Sequence, residues 1–227
     1  MLAQHRARQG FIKARTAQAN QIRGLLAEYG LVIPQGIAQI AKRVPELIED
    51  ASNQLPGSFR LLIDRLLEHL KELDRQVDEI EAQIVAWHRS NEASHKLEKV
   101  PGIGPITASA IVASVGDVNI FDSGRQMAAW MGLVPRQNSS GGKNVLLGIS
   151  KRGDTYLRTL LIHGARSVIY RAQQRVEESG WLQALLGRRN ANVAAVALAN
   201  KNARIVWALL AKDREFRPNY TAACATA

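Results

Sequence analysis

The sequence predicts a mainly α protein: a long helical coiled-coil hairpin followed by a compact helical domain containing a helix–hairpin–helix-like motif. Three observations lead there. Of the 227 residues 46% are hydrophobic but only 5% aromatic, with Ala, Leu, Gln, Arg and Glu prominent, and such side chains lose little freedom in a helix. Phe59, Ile63, Leu66, Leu70, Leu73, Val77, Ile80, Ile84 and Trp87 recur in steps of four and three, a heptad seam over about four repeats. Finally, Pro101-Gly102-Ile103-Gly104 sets a tight turn between two apolar segments.

In chain order, residues 1–29 read as one helix with Arg8, Arg15 and Arg23 on a basic face. Ile12, Ile22, Leu25, Leu26 and Tyr29 are placed to pack, and Gly30, Pro34 and Gly36 stop the helix. A short helix follows over Ile37–Ile48, with Pro45 as its weak point. The heptad seam then predicts a long helix from about Ser58 to Ser90, charged on its outward faces. Its apolar stripe needs a partner, either the first helix folded back or a second copy of the chain. The texture changes at 97–116, where the glycine turn leads into a helix carrying Ala108, Ile111, Val112 and Val115. A short helix over 121–131 is capped by Asp122 or Ser123. Residues 132–153 are rich in Gly, Ser and Asn and read as an extended, exposed loop. Asp154 is placed to cap a helix running to about Glu177. A last helix spans Ala191–Ala211. The predicted division is a helical linker over 1–93, a second domain over 94–218 and a disordered tail over 219–227.

The formal net charge is +10, unevenly spread: residues 151–227 hold thirteen Lys or Arg against five acids. A smaller basic run (Arg6, Arg8, Lys13, Arg15, Arg23) lies at the start. A polyanion is the natural partner for such a field, although a solvated basic surface has the same composition. Cys224 is the single cysteine, which excludes a disulfide framework or a cysteine-based metal site. No stretch approaches the apolar length needed to span a bilayer and residues 1–15 lack a signal core, so no membrane partner and a cytoplasmic, nucleoid-associated location are expected.

Three motifs carry chemistry. In the turn at Gly102 and Gly104, bare backbone can approach a phosphate and the following helix start supplies N–H donors; a tight turn between packed helices uses the same residues. The loop Asn138-Ser139-Ser140-Gly141-Gly142-Lys143, with Arg136 just before it, is read alone as a flexible turn. A nucleophilic serine there needs a base or a metal, and His163, on an apolar helix face, is the residue type of a packed or surface histidine rather than that base. The third motif is Lys151-Arg152 before a capped helix start, with Arg158 one turn on, which fits either a phosphate clamp or solvated charge.

Together and in this order, PGIGPITASAIVASVG, FDSGRQMAAWMGLVPRQNSSGGK and GISKRGDTYLRTLLIHGAR resemble the IS-one-ten (IS116/IS110/IS902-type) family of bacterial insertion-sequence transposases, most strongly from Leu97 to about Tyr170. The resemblance implies that the chain binds DNA, with a structured noncoding guide RNA as a further partner in some members. It implies that Ser140, with Ser139 as fallback, is the nucleophile attacking a phosphodiester to form a covalent protein–DNA intermediate. Gly102, Gly104, Arg136, Lys143, Lys151, Arg152 and Arg158 are the expected nucleic-acid contacts. Family members carry a preceding RuvC-like domain with four Mg²⁺-binding carboxylates, and no such strand pattern occurs here. The expectation is therefore a C-terminal portion that starts in the family's linker and is inactive alone. Mg²⁺ enters only through that acidic domain, no cofactor or metal ligand is expected in this chain, and homo-oligomerisation is expected through the coiled coil. A non-catalytic helix–hairpin–helix DNA-binding module is the alternative.

Overall fold

The structure, a computed structural model, describes residues 1–138, 145–174 and 180–217. It is mainly α, as the composition predicts, and it divides into two compact units, Met1–Ile84 and Val85–Ala227. The division falls inside the long helix rather than after it, because the last turn of that helix carries His88, which bonds onward to Ser94 and Glu98.

The first unit contains α1 (Leu2–Glu28), α2 (Ile37–Glu49) and most of α3 (Gly57–Ser90). Helix α1 folds back on α3: Ala19, Ile22 and Leu26 share one core with Phe59, Ile63, Leu67 and Leu70. Arg15 Nη1 meets Asp74 at 2.9 Å and Arg8 Nη2 meets Glu81 at 2.5 Å. Of the two partners open to the heptad stripe, the structure thus has the first helix. The basic face expected of residues 1–29 is also corrected. Arg8 and Arg15 pair with the acidic flank of α3, and Arg23 donates to the Gly36 carbonyl at 2.7 Å. The stripe on α3 buries Leu67 rather than Leu66 and His88 rather than Trp87, since a straight helix of 3.6 residues per turn drifts off a strict heptad. Helix α2 buries Ile40 and Val44 and runs through Pro45.

The second unit contains the end of α3 with α4 (Glu92–Glu98), α5 (Pro105–Val115), α6 (Gly124–Trp130), β1 (Pro135–Gln137), β2 (Leu146–Ile149), α7 (Thr155–Gln174), α8 (Trp181–Leu186) and α9 (Ala191–Ala211). Helix α9 is its central post. Ala194, Ala195, Ala199 and Ala203 are fully buried, and these small side chains let α7 and α6 approach closely. A Cβ on Gly124 would lie 3.0 Å from Arg204 Cα, so the start of α6 touches α9 backbone to backbone. Ser123, not Asp122, caps α6 by accepting from the Gln126 N–H, and Asp154 caps α7 by accepting from Leu157 N–H at 2.9 Å. The loop expected over 132–153 contains the small antiparallel pair β1–β2, and α8 was not foreseen. One further expectation changes: α9 is long and apolar enough to cross a membrane by length and composition. It carries Lys201 and Arg204 on one side and buries the other in the core, as the core helix of a folded unit does.

Candidate nucleic-acid interface

An open cleft of about 2220 Å³ runs along α9 in the second unit, well above the roughly 300–1,000 Å³ of small-molecule pockets. Its walls come from α9, the start of α6, the β1–β2 pair, Trp181 of α8 and residues 213–217. The position of each wall follows from local chemistry. Residues at i, i+4 and i+8 along α9 share a face, which brings Asn192, Val196, Asn200 and Arg204 to one side. Asn200 Nδ2 donates to the Leu133 carbonyl at 3.2 Å, and buried Asn202 donates to the Pro101 carbonyl at 2.9 Å. These two amides tie the chain entering β1 and the glycine turn to α9.

The charge of the cleft is one-sided. Arg125, Arg136, Lys151, Lys201, Arg204, Arg214 and Arg217 line it, against the acids Asp213 and Glu215. Both acids are already engaged outside the lining, Asp213 with Lys96 and Glu215 with Lys99 at 3.5 Å. Lys96 lowers the pKa of Asp213 through a hydrogen bond and its charge. None of the seven lining cations forms an ion pair among the described residues. An unpaired row of cations on a concave wall is a polyanion site by charge and shape. Trp181 adds an aromatic face, 42% exposed, with Lys201 Nζ 4.5 Å from its ring centre.

The expected site residues divide. Arg136 and Lys151 line the cleft. Lys151 sits at φ +54°, held there by its N–H bond to the Gly132 carbonyl at 3.2 Å. Arg152 is exposed, and its own carbonyl packs against Gly132. Gly104 caps α5 with open space around it, as a backbone contact to phosphate needs. Gly102 faces inward, at φ +88°, against Gly164 of α7. Arg158 is corrected more firmly: it is 8% exposed, and its guanidinium donates to the Met131 carbonyl at 3.3 Å and to Thr155 Oγ1 at 3.0 Å. The cation completes the end of α6, where carbonyls lack helical partners, and it does not face a phosphate. Ser139, Ser140 and Lys143 lie outside the described residues. His163 is exposed on α7.

Sequence reasoning missed Arg125, Lys201, Arg204 and Trp181. Lys201 and Arg204 were signalled only by the C-terminal excess of positive charge, and Arg125 and Trp181 by nothing, because the cleft gathers them from separate elements. The enclosed Ser150 hydroxyl on the cleft wall, with no hydrogen-bond partner among the described residues, lies within the third motif but was not singled out there. Among the described residues one group of metal-ligating side chains converges, and two of its three members are histidines. Mg²⁺ prefers oxygen ligands, so this cluster does not suit the ion that the resemblance associates with strand transfer.

A mainly helical unit with a cation-lined cleft has the charge and shape that a polyanion would fit. Residues 94–179 match the transposase IS116/IS110/IS902 family. Over nearly the whole chain the sequence is 49% identical to a Pseudomonas aeruginosa protein named as a family 20 transposase, covering 94% of this chain and 64% of that one. It is 43% identical to the transposase for insertion sequence element IS1111A of Coxiella burnetii, over 92% of this chain and 58% of that one. For the transposase of IS1328 from Yersinia enterocolitica the values are 40% identity, 95% and 64%. The chain belongs to the IS116/IS110/IS902 transposase family, and it spans less than two thirds of the length of these relatives.

Proposed function

We propose that the second unit is the DNA-engaging, serine-bearing part of a transposase, holding a nucleic-acid backbone in the cleft along α9 while Ser140 attacks a phosphodiester. The observation that carries this reading is the unpaired row of cations in the cleft, together with the chain path: β1 and β2 line the same cleft and are joined through residues 139–144. The hairpin closes just before that segment, where Asn138 N–H donates to the Val145 carbonyl at 2.9 Å. In the attack an Oγ–phosphorus bond forms and a bond from phosphorus to a bridging sugar oxygen breaks. The DNA hydroxyl leaves, and the serine proton must go to a base. Asp154 is committed as a helix cap and His163 lies exposed on α7, and Asp213 and Glu215 of the cleft are paired with Lys96 and Lys99. On this reading the 227 residues bind DNA and rely on the acidic metal-binding domain of the family for strand exchange. A structured guide RNA would meet the same backbone-reading field. The buried part of the α3 stripe packs against α1 within one chain, so homo-oligomerisation would use other surfaces of α3, where Leu61 and Leu62 are exposed.

The test supplies the acidic domain in trans with an insertion-sequence junction and Mg²⁺. Ser140→Ala is expected to abolish strand exchange and leave DNA binding intact, with Ser139→Ala active. A Ser140-linked adduct formed by this chain alone would overturn the reliance on that domain. Strand exchange indifferent to Ser140→Ala would leave the non-catalytic binding module as the reading.

A further inference from the structure

At the elbow between the last turn of α3 and α4, His88, His95 and Glu98 turn toward one another, with one ligand atom from each lying within 4.8 Å of the others. His88 is 2% exposed, and its Nε2 lies 3.0 Å from Glu98 Oε2. His95 Nδ1 lies 3.8 Å from the same carboxylate oxygen, and the two rings lie with centres 4.6 Å apart, tilted by 40°. We propose that His88 Nε2, His95 Nδ1 and Glu98 form a binding site for a zinc-class transition-metal ion that clamps this elbow. Nothing in the transposase reading requires such a site.

The hydrogen bonds to the far nitrogens carry the argument. His95 Nε2 is 3.1 Å from the Arg89 carbonyl, and a carbonyl only accepts. Nε2 therefore bears a hydrogen, which in the Nε2–H tautomer leaves the Nδ1 lone pair facing a carboxylate oxygen. Two acceptors face each other, and a cation between them resolves the conflict. At 3.8 Å the two atoms make no hydrogen bond with each other and leave room for an ion. His88 Nδ1 lies 2.7 Å from the Ser94 hydroxyl, which can donate or accept. On metal binding the proton of His88 moves from Nε2 to Nδ1, the hydroxyl turns to accept it, and the ring stays neutral. Both histidines thus hold the outer partner that fixes ring orientation in metal sites. The spacing also suits the ion: a tetrahedral metal with bonds of about 2.0–2.1 Å keeps its ligand atoms roughly 3.3 Å apart, a shift of well under 1 Å for each histidine–Glu98 pair and about 1.5 Å at most between the two histidines. Two nitrogens and one carboxylate oxygen select zinc or a neighbouring transition metal over Mg²⁺. Three protein ligands leave one position open to water.

The test is calorimetric titration of chelator-stripped full chain with Zn²⁺, paired with Co²⁺ absorption to read the ligand field. One equivalent is expected to bind, with a rise in melting temperature and tetrahedral-type cobalt bands. His95 and Glu98 are half exposed, 49% and 42% at the side chain, so His95→Ala and Glu98→Gln keep the fold. Each is expected to weaken binding at least tenfold, with His163→Ala unchanged. The proposal is overturned if no saturable binding occurs, or if binding survives both His95→Ala and Glu98→Gln, or if His163→Ala abolishes it.

Discussion

The carbonyl oxygen of Gly102 lies 1.8 Å from the point where a Cβ on Gly164 would stand, so the glycine turn and helix α7 meet backbone to backbone. This contact explains two glycines at once. Gly102 adopts φ +88° with its own Cβ position blocked by Gly164, and Gly164 sits in mid-helix where alanine would otherwise be favoured by about 1 kcal/mol. Gly164→Ala must push two main chains apart and is expected to destabilise the second unit by about 2 kcal/mol net. Gly24→Ala in α1, where nothing lies within 4 Å, is the converse: a gain of up to about 1 kcal/mol. Urea unfolding of both variants checks the pair, and a neutral Gly164→Ala would refute the close contact.

Arg158 separates a structural cation from a binding one. Its removal strands the Met131 carbonyl and the tight approach of residues 151–153 to the end of α6. Arg158→Ala is expected to cost about 2 kcal/mol or more in stability, with Arg158→Lys recovering only part because lysine lacks the fork. The salt dependence of DNA binding should be unchanged once binding is referred to the folded fraction. A reduced salt slope in folded protein would return Arg158 to the phosphate contacts.

What the sequence revealed, and what it hid, divides along physical lines. Periodic features were legible: α1, α3, α7 and α9 stand close to their expected bounds, because burial along a helix repeats every 3.6 residues. Caps at Ser123 and Asp154 were legible because capping is local chemistry. Arg8 and Arg15 read as a free basic face because their partners, Asp74 and Glu81, are some 60 to 70 residues away in sequence. The same blindness hid the cleft, in which Arg125, Lys201 and Arg204 become neighbours only after α6 docks on α9. It also hid His88, whose burial follows from the drift of the α3 stripe away from a heptad.

His5 makes the first unit acid-sensitive. Burial, then the nearby Arg8 charge and the N-terminal ammonium, lowers its pKa from 6.5 to about 4. The folded state thus holds His5 neutral where the unfolded chain would protonate it. This contribution is complete above pH 6.5 and declines as the pH falls towards 4, with a limiting slope of about 1.4 kcal/mol per pH unit. His5→Gln, which cannot titrate, should show a flatter stability profile between pH 6.5 and 4. The measurement is hydrogen exchange of α1 amides across that range; parallel profiles for the two proteins would refute the assignment.

The cleft makes a quantitative claim about salt. Each cation that contacts a phosphate releases about 0.9 counterion, so its loss should lower the slope of log K against log [salt] by about that amount. Arg204→Ala tests the α9 wall. Lys151→Asn tests the β2 end, with asparagine chosen because it tolerates the left-handed backbone at this position. Each is expected to reduce the slope by about 0.9, whatever the DNA sequence, because backbone contacts carry no base information. Arg75→Ala, on the exposed flank of α3 and paired with Glu72 and Glu79, should leave the slope unchanged. Trp181→Ala should behave differently again. It removes a stacking face worth about 1–3 kcal/mol per base on single strands while leaving the ion release intact. Equal slopes for wild type, Arg204→Ala and Lys151→Asn would remove the cleft from the DNA path, whatever the affinity of the chain.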